Sequence, residues 1–289
     1  MPLQWVVARR IQMMSSSNPP SAPPLPTHDE QFIESMDREL VGWSDPVERL
    51  QQALVKNEFE LYCQPILSLT GSERFPIAEL LVRLREEEVA LLPPGEFLPV
   101  FEHYGMMPQL DRWVGRSALQ RLARGSKIGN LSVNISAQAI VDHEFPAFVA
   151  DQLGSTGVQA SALIFEIDEV DVLTGFDAVA RFGAAVRETG CRLLIDGFGR
   201  RSVSFAPLKA LHVAFVKVDG VIVRKLASSE IASSKMNAVV RVGEAIGIEV
   251  IGECVEEQDV LARLKGMGAG YAQGFSVYKP HPLDAVVQP

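Results

Sequence analysis

Polar residues recur at the ends of short apolar segments along this chain, and their types narrow the chemistry that they could perform. The residues concerned are Glu79, Asn134, Glu166, Asp168, Glu169, Asp196, Lys217, Asp219, Glu253, Glu256 and Gln273. Crowded carboxylates repel one another and take up protons unless a cation neutralises them. Carboxylate and amide oxygens suit Mg²⁺ or Mn²⁺ rather than zinc, and a lysine among them could hold a phosphate or an attacking water. The pattern therefore predicts metal-assisted phosphodiester hydrolysis, with an internal charge network that binds no ligand as the alternative.

Short apolar, β-branched runs alternate with helical patterns and predict the scaffold for these residues. The predicted strands span residues 59–67, 76–84, 130–136, 162–168, 192–197, 213–219, 249–253 and 271–277. The predicted helices span residues 45–56, 94–104, 109–123, 145–153, 176–188, 228–246 and 257–267, with a weaker pattern at 28–41. This alternation over roughly 245 residues predicts an α/β fold, a TIM-like (β/α)8 barrel whose strand ends converge on one rim. Because only Ser68–Phe75 joins the first two strands, we expect the first strand to run antiparallel to the second.

The N-terminal region and the overall composition limit the domain boundaries and the classes of partner that the chain could bind. Residues 15–26 read SSSNPPSAPPLP, a sequence that cannot bury a core, so we expect a flexible segment over residues 1–43 and the barrel over residues 44–289. The net charge of −9 makes the chain a poor binder of nucleic acid polymers or anionic membranes. Its three cysteines form no CxxC pair, and no apolar run reaches the ~20 residues of a membrane span. These features are typical of a cytoplasmic protein with reduced thiols.

The same polar residues fall into a set of short motifs in a fixed order. The motifs are CQPI at 63–66, ELLVR at 79–83, VNIS at 133–136, EIDE at 166–169, KVD at 217–219, ECVE at 253–256, and QG at 273–274 followed by Pro280. Over residues 47–282 this ordered set resembles the EAL domain, the bacterial cyclic di-GMP phosphodiesterase family. That family has a barrel with an antiparallel first strand and acts in second-messenger signalling.

The resemblance implies a role for each matching residue. It implies that one Mg²⁺ or Mn²⁺ is held by Glu79, Asn134, Glu166 and Asp196. It implies catalytic roles for Lys217 at the attacking water, Glu253 as base or second-metal ligand, and Glu256 as the brace of the loop after the fifth strand. It implies that cyclic di-GMP is held by Gln64, Leu81, Arg83, Asp219, Gln273 and Pro280. A second copy of the chain or another signalling protein is the further partner to expect.

The chain departs from the family pattern after the fifth strand. The family sequence DDFGTG is here DGFGRR, residues 196–201, so Gly197 stands where the resemblance implies a ligand of a second metal. In a two-metal mechanism both ions stabilise the reacting oxygens, so losing one should cost several kcal/mol of transition-state stabilisation. We therefore favour a cyclic di-GMP-binding domain with impaired or absent hydrolysis. A slow phosphodiesterase with a rearranged second site and a protein-interaction module that no longer binds nucleotide remain as alternatives.

Two arginines follow the vacated ligand position. A guanidinium is always charged and can bind phosphate oxygens through two parallel hydrogen bonds. We hypothesise that Arg200 or Arg201 replaces part of the missing metal's charge and contacts the nucleotide. The alternative is that both side chains point to solvent or to a partner protein.

Overall fold

Eight strands of the chain close into a barrel. The computed structural model describes residues 43–287 apart from residues 44, 72, 86–90 and 202, so the predicted flexible segment and its weak helical pattern lie outside it except for Trp43. The described strands, eight in the barrel and two short ones beside it, are β1 (Phe59–Ser68), β2 (Ile77–Arg85), β3 (Leu91–Leu92), β4 (Asn130–Asn134), β5 (Leu163–Asp168), β6 (Arg192–Phe198), β7 (Phe215–Val218), β8 (Glu249–Gly252), β9 (Tyr271–Ala272) and β10 (His281–Pro282). The two short strands are β3, which pairs with β2, and β10, which pairs with β1.

The strand order confirms the predicted α/β barrel. Strands β2, β4, β5, β6, β7, β8 and β9 pair in parallel, and β1 closes the ring by pairing antiparallel to both β2 and β9. The antiparallel first strand was predicted from the short loop after Ser68, which leaves no room for a crossover helix. The last predicted strand is shorter than expected, since the chain turns at Gly274 and only Tyr271–Ala272 pairs.

Helices surround the barrel, and the long ones follow the predicted amphipathic patterns. They are α1 (Pro46–Val55), α2 (Pro94–His103), α3 (Met107–Ala123), α4 (Ala137–Ile140), α5 (Phe145–Thr156), α6 (Glu169–Thr174), α7 (Phe176–Glu188), α8 (Ala206–Leu211), α9 (Gly220–Val223), α10 (Glu230–Ile246), α11 (Gln258–Gly266) and α12 (Leu283–Val287). The short helices α4, α6, α8, α9 and α12 were not predicted, because fewer than two turns show no 3.6-residue period. No helix in the described ranges is long and apolar enough to span a membrane.

A buried carboxyl group joins α3 to the turn between β4 and α4. Asp111 Oδ2 accepts hydrogen bonds from the backbone N–H of Ser136 at 3.1 Å and from its hydroxyl at 2.6 Å. The Ser136 hydroxyl in turn accepts from the N–H of Ala139 and caps α4. Burial raises the pKa of Asp111 to about 7, because the hydrogen bonds from Ser136 only partly offset the lost hydration of the charged form.

The raised pKa of Asp111 predicts a pH-dependent stability difference. The folded state holds this proton more tightly than the unfolded chain, so the wild type should lose stability as the pH rises from about 4 to about 7. Asp111→Asn keeps an acceptor oxygen without the charge, so its free energy of unfolding should exceed that of the wild type by up to about 4 kcal/mol at pH 8. Urea unfolding at pH 4, 5.5, 7 and 8 measures this gap. A gap that does not grow with pH would contradict the prediction.

Candidate functional site

The polar site lies directly above an apolar layer inside the barrel. Side chains on a strand alternate between its two faces, so residues two positions apart point the same way. The interior apolar cluster consists of Ile66, Ile77, Ile164, Leu194, Phe215 and Ile251. The residue two positions closer to the C-terminal rim is polar in every case, and these residues are Gln64, Glu79, Glu166, Asp196, Lys217 and Glu253. For β1 the step runs backwards along the chain, as its antiparallel direction requires.

Lys217 on β7 is the positive centre of this layer. The side chain is almost fully buried, at 1% exposure, and its Nζ lies 2.5 Å from Glu166 Oε2 and 3.0 Å from Glu79 Oε2. Asp196 Oδ1 lies 3.6 Å from the same nitrogen. Burial favours the neutral amine, but the three neighbouring carboxylates outweigh it and hold the pKa of Lys217 well above its usual range. The ammonium therefore stays charged inside the barrel.

Glu79 on β2 is held by three donors. Its Oε2 accepts from Lys217 and, at 2.8 Å, from Gln273 Nε2, while its Oε1 accepts from Asn134 Nδ2 at 3.0 Å. Although burial favours the neutral acid, the Lys217 charge and these hydrogen bonds lower the pKa of Glu79. Gln273 also donates to Gln64 Oε1 at 3.3 Å, so the amides of β1 and the loop after β9 belong to the same network. Five sequence-predicted site residues are thus brought into contact.

The carboxylates around Lys217 outnumber the cation that balances them. Burial, together with the charge on Glu79, raises the pKa of Glu166 to about 8. Burial and the nearby Asp196 likewise raise the pKa of Glu253 to about 8. Glu166 Oε1 and Asp196 Oδ1 are buried and have no hydrogen-bond partner among the described residues. An additional cation would satisfy these oxygens and lower both pKa values.

The oxygen atoms of this layer are of the chemical type that binds a hard divalent cation, but the side chains are not arranged around a metal position. The described residues contain no group of three or more His, Cys, Asp or Glu side chains arranged to hold a metal. Lys217 lies among the carboxylates instead. The carboxylate and amide oxygens present are the ligands that Mg²⁺ and Mn²⁺ prefer, and two of them lack a hydrogen-bond partner in the described part of the chain.

A second cation, Arg200, lies near enough to Asp196 for the charge of this carboxylate to act on it. Its Nε donates to Asp219 Oδ2 at 2.6 Å and its Nη1 to Asp168 Oδ2 at 3.2 Å. Burial alone would lower the pKa of Arg200, but its hydrogen bond to Asp219 and the charges of the surrounding carboxylates outweigh burial and raise this pKa above its usual value. The Arg200 side chain reaches two aspartates of the site although 40% of it is exposed, and Arg201 is exposed as well. Contact of either arginine with a nucleotide remains a prediction.

Glu169, not Glu256, braces the loop after β6. Glu169 is buried at the start of α6, where its Oε1 accepts from the backbone N–H of Gly199 at 2.8 Å and its Oε2 from that of Arg201 at 3.4 Å. The predicted brace, Glu256, is exposed and makes no hydrogen bond to this loop within the described part of the chain. The correction has a topological reason. Glu169 follows β5, which pairs with β6, whereas Glu256 follows β8, which does not.

The other predicted contact residues lie around the mouth of the barrel. Arg83 stacks on the ring of Tyr62 at 5.3 Å and donates to Val82 O. Gln64 Nε2 donates to Tyr278 O at 2.8 Å, which ties β1 to the segment that contains Pro280. Leu81 and Pro280 are half-buried. Their predicted roles in holding a nucleotide remain predictions.

Backbone N–H groups of the loop after β7 donate hydrogen bonds to two acidic residues of the site, Asp219 after β7 and Glu253 after β8. Glu253 Oε1 accepts from the backbone N–H of Gly220 at 2.7 Å, and Asp219 Oδ1 accepts from that of Val221 at 2.7 Å. Each carboxylate therefore uses one oxygen to fix this loop. The second oxygen of Asp219 meets Arg200.

Comparison with known proteins gives consistent matches. A family model described as "EAL domain" matches residues 47–280. The cyclic di-GMP phosphodiesterase PdeF of Escherichia coli (strain K12) is 30% identical over 251 residues, 86% of this chain and 33% of that protein. The cyclic di-GMP phosphodiesterase PdeB of Shewanella oneidensis is 30% identical over 238 residues, 81% of this chain and 28% of that protein. The chain thus spans about a third of the length of these relatives.

Solved structures match over most of the barrel. The FimX EAL domain of Xanthomonas citri in complex with c-diGMP has a TM-score of 0.77 at 27% identity and covers 88% of this chain and 97% of that one. The PaMucR phosphodiesterase in its c-di-GMP complex has a TM-score of 0.76 at 26% identity, covering 83% of this chain and 98% of that one. These matches agree with the barrel described above.

Removing the buried ammonium should expose the charge imbalance around it. Lys217→Met leaves Glu79, Glu166 and Asp196 without their shared cation, and breaking a buried ion pair in this way typically costs about 3–5 kcal/mol. The remaining carboxylates should bind protons more tightly when folded than when unfolded, so the deficit should grow as the pH rises. Denaturant unfolding at pH 5 and pH 8 checks this.

A double variant separates charge imbalance from lost packing. Lys217→Met combined with Glu166→Gln removes one negative charge as well, and should be less destabilised than Lys217→Met alone at pH 8. If the double variant is at least as unstable as the single one, the buried charges are not what makes Lys217 necessary.

Proposed function

The chain belongs to the EAL domain family, and we propose that it binds cyclic di-GMP at the rim site as a signalling receptor with impaired or absent hydrolysis. One observation carries the proposal. Gly197 offers no side chain where the family has its second aspartate, while Glu79, Glu166 and Asp196 of the predicted first-metal set lie around Lys217. The c-di-GMP complexes of similar EAL domains support this ligand for the present chain.

The carboxylates around Lys217, which form the inner half of the site, would take one divalent ion. Glu79, Asn134, Glu166 and Asp196 would hold it, because their oxygens are the right chemical type and two of them lack a hydrogen-bond partner among the described residues. A bound Mg²⁺ or Mn²⁺ polarises a phosphodiester oxygen and offsets the excess negative charge. Lys217 keeps its own charge beside this set and can hold a phosphate oxygen or a water.

A slow phosphodiesterase is the second candidate, because the relatives that match at 30% identity carry that name. A non-binding interaction module is disfavoured by the intact contacts of Glu79 with Lys217, Asn134 and Gln273. Such a network of polar groups has no evident use in a domain that has lost its ligand.

Titration calorimetry with cyclic di-GMP, followed by chromatography for linear pGpG, separates the three candidates. We expect binding in Mn²⁺, with hydrolysis at least about a hundredfold slower than in an EAL domain with both aspartates, since two factors of ten correspond to about 2.7 kcal/mol of lost transition-state stabilisation. Formation of pGpG at a rate less than about a hundredfold below that of such a domain would favour the slow phosphodiesterase. Absence of binding with and without Mn²⁺ would favour the interaction module.

Matched carboxylate variants control this test. Glu79→Ala should fold and lose the dependence of binding on Mn²⁺, because it removes a ligand of the inner site. Glu188→Ala removes an exposed carboxylate at the end of α7, beside the opposite rim, and should bind as the wild type does. Equal effects of the two variants would contradict the assignment of Glu79 to the ion.

A further inference from the structure

The cation of the loop after β6, Arg200, is held through its side chain and through the backbone on either side of it. Arg200 reaches Asp219 at 2.6 Å and Asp168 at 3.2 Å, and the charge on Asp196 also acts on it. Arg200 is 40% exposed, but Asp219 is only 1% exposed, so one partner of this ion pair is buried. The N–H groups on either side of Arg200, those of Gly199 and Arg201, are both held by the buried Glu169.

The guanidinium fills the space that a side chain at position 197 would need. A Cβ atom placed on Gly197 would lie 2.6 Å from Arg200 Nη2 and 2.9 Å from its Cζ. Gly197 also has φ +66°, where the β6–β7 pairing shifts register. Glycine adopts this backbone readily, whereas a side chain is strained there, an aspartate less than most. An aspartate at position 197 would therefore carry some backbone strain, and its carboxylate would meet Arg200.

We propose that Arg200 is a resident cation for Asp168 and Asp219 that, together with Gly197, closes this half of the site to a divalent ion. The residues here do not fit a second metal. The oxygens that face the position are already paired with a group that cannot lose its proton, and position 197 supplies no ligand. This inference rests on the proposed function and deepens it. It separates the inner half around Lys217, which would take an ion, from the outer half around Arg200, which would not.

The inference changes what a single repair of the site should achieve. In Gly197→Asp the new carboxylate would form an ion pair with Arg200 rather than become a free metal ligand. Arg200→Thr alone would free Asp168 and Asp219 but leave position 197 without a ligand. Only the combination of both changes provides a new oxygen ligand and removes the competing cation. The two substitutions should therefore act non-additively on ion binding.

Mn²⁺ titration calorimetry without nucleotide tests this directly on four proteins: the wild type, Gly197→Asp, Arg200→Thr and the double variant. We expect the double variant to bind one more Mn²⁺ than the wild type, and each single variant to show no additional ion. Gly197→Asp with Arg201→Thr is the matched control, because it removes an exposed arginine one residue away and has the same net charge as the double variant. This control should bind no additional ion.

Three results would overturn the inference. They are an additional ion in Gly197→Asp alone, no additional ion in the folded double variant, and equal gains with Arg200→Thr and Arg201→Thr in the Gly197→Asp background. Circular dichroism establishes folding, and if the double variant does not fold, Gly197→Asp with Arg200→Gln takes its place. Since only the increment in bound ions is scored, the outcome does not depend on whether the protein binds or hydrolyses cyclic di-GMP.

Discussion

The barrel keeps an ammonium group and at least three carboxylates in its interior, and the placement of the other site residues follows from that constraint. Lys217 balances part of the charge on Glu79, Glu166 and Asp196, and Glu79 takes further hydrogen bonds from neighbouring strands. Buried charges of this kind are tolerated only when they are paired and hydrogen-bonded. The apolar layer below them supplies the packing that an all-polar interior would lack.

The site has two halves, each with its own positive charge, and the charge of Asp196 acts on both cations. On the inner side lies Lys217, near oxygens that have no hydrogen-bond partner. On the outer side lies Arg200, which pairs with Asp168 and Asp219. A divalent ion, unlike a guanidinium, can lower the pKa of a bound water and so generate a nucleophile. The guanidinium therefore cannot supply that step at the position where it pairs with Asp168 and Asp219.

Sequence reasoning found the barrel, the antiparallel β1 and the polar rim, because strand periodicity, loop length and residue type are local signals. It failed where the outcome depends on which strands are neighbours. Glu169 rather than Glu256 holds the loop after β6, since β5 pairs with β6. The direction of the Arg200 side chain was undecidable from the sequence alone. It depends on a register shift at Gly197 and on two aspartates from other strands. Short helices such as α9 were not predicted, because fewer than two turns show no measurable helical period.

The central claim is that one half of the site takes a divalent ion and the other half keeps an arginine in its place. Anomalous diffraction from crystals grown with Mn²⁺ and cyclic di-GMP tests it most directly, because each Mn²⁺ gives its own peak. The account predicts one peak, in contact with Glu79, Glu166 and Asp196, with Arg200 still bonded to Asp219. A second peak in contact with Asp219, with Arg200 displaced, would contradict it.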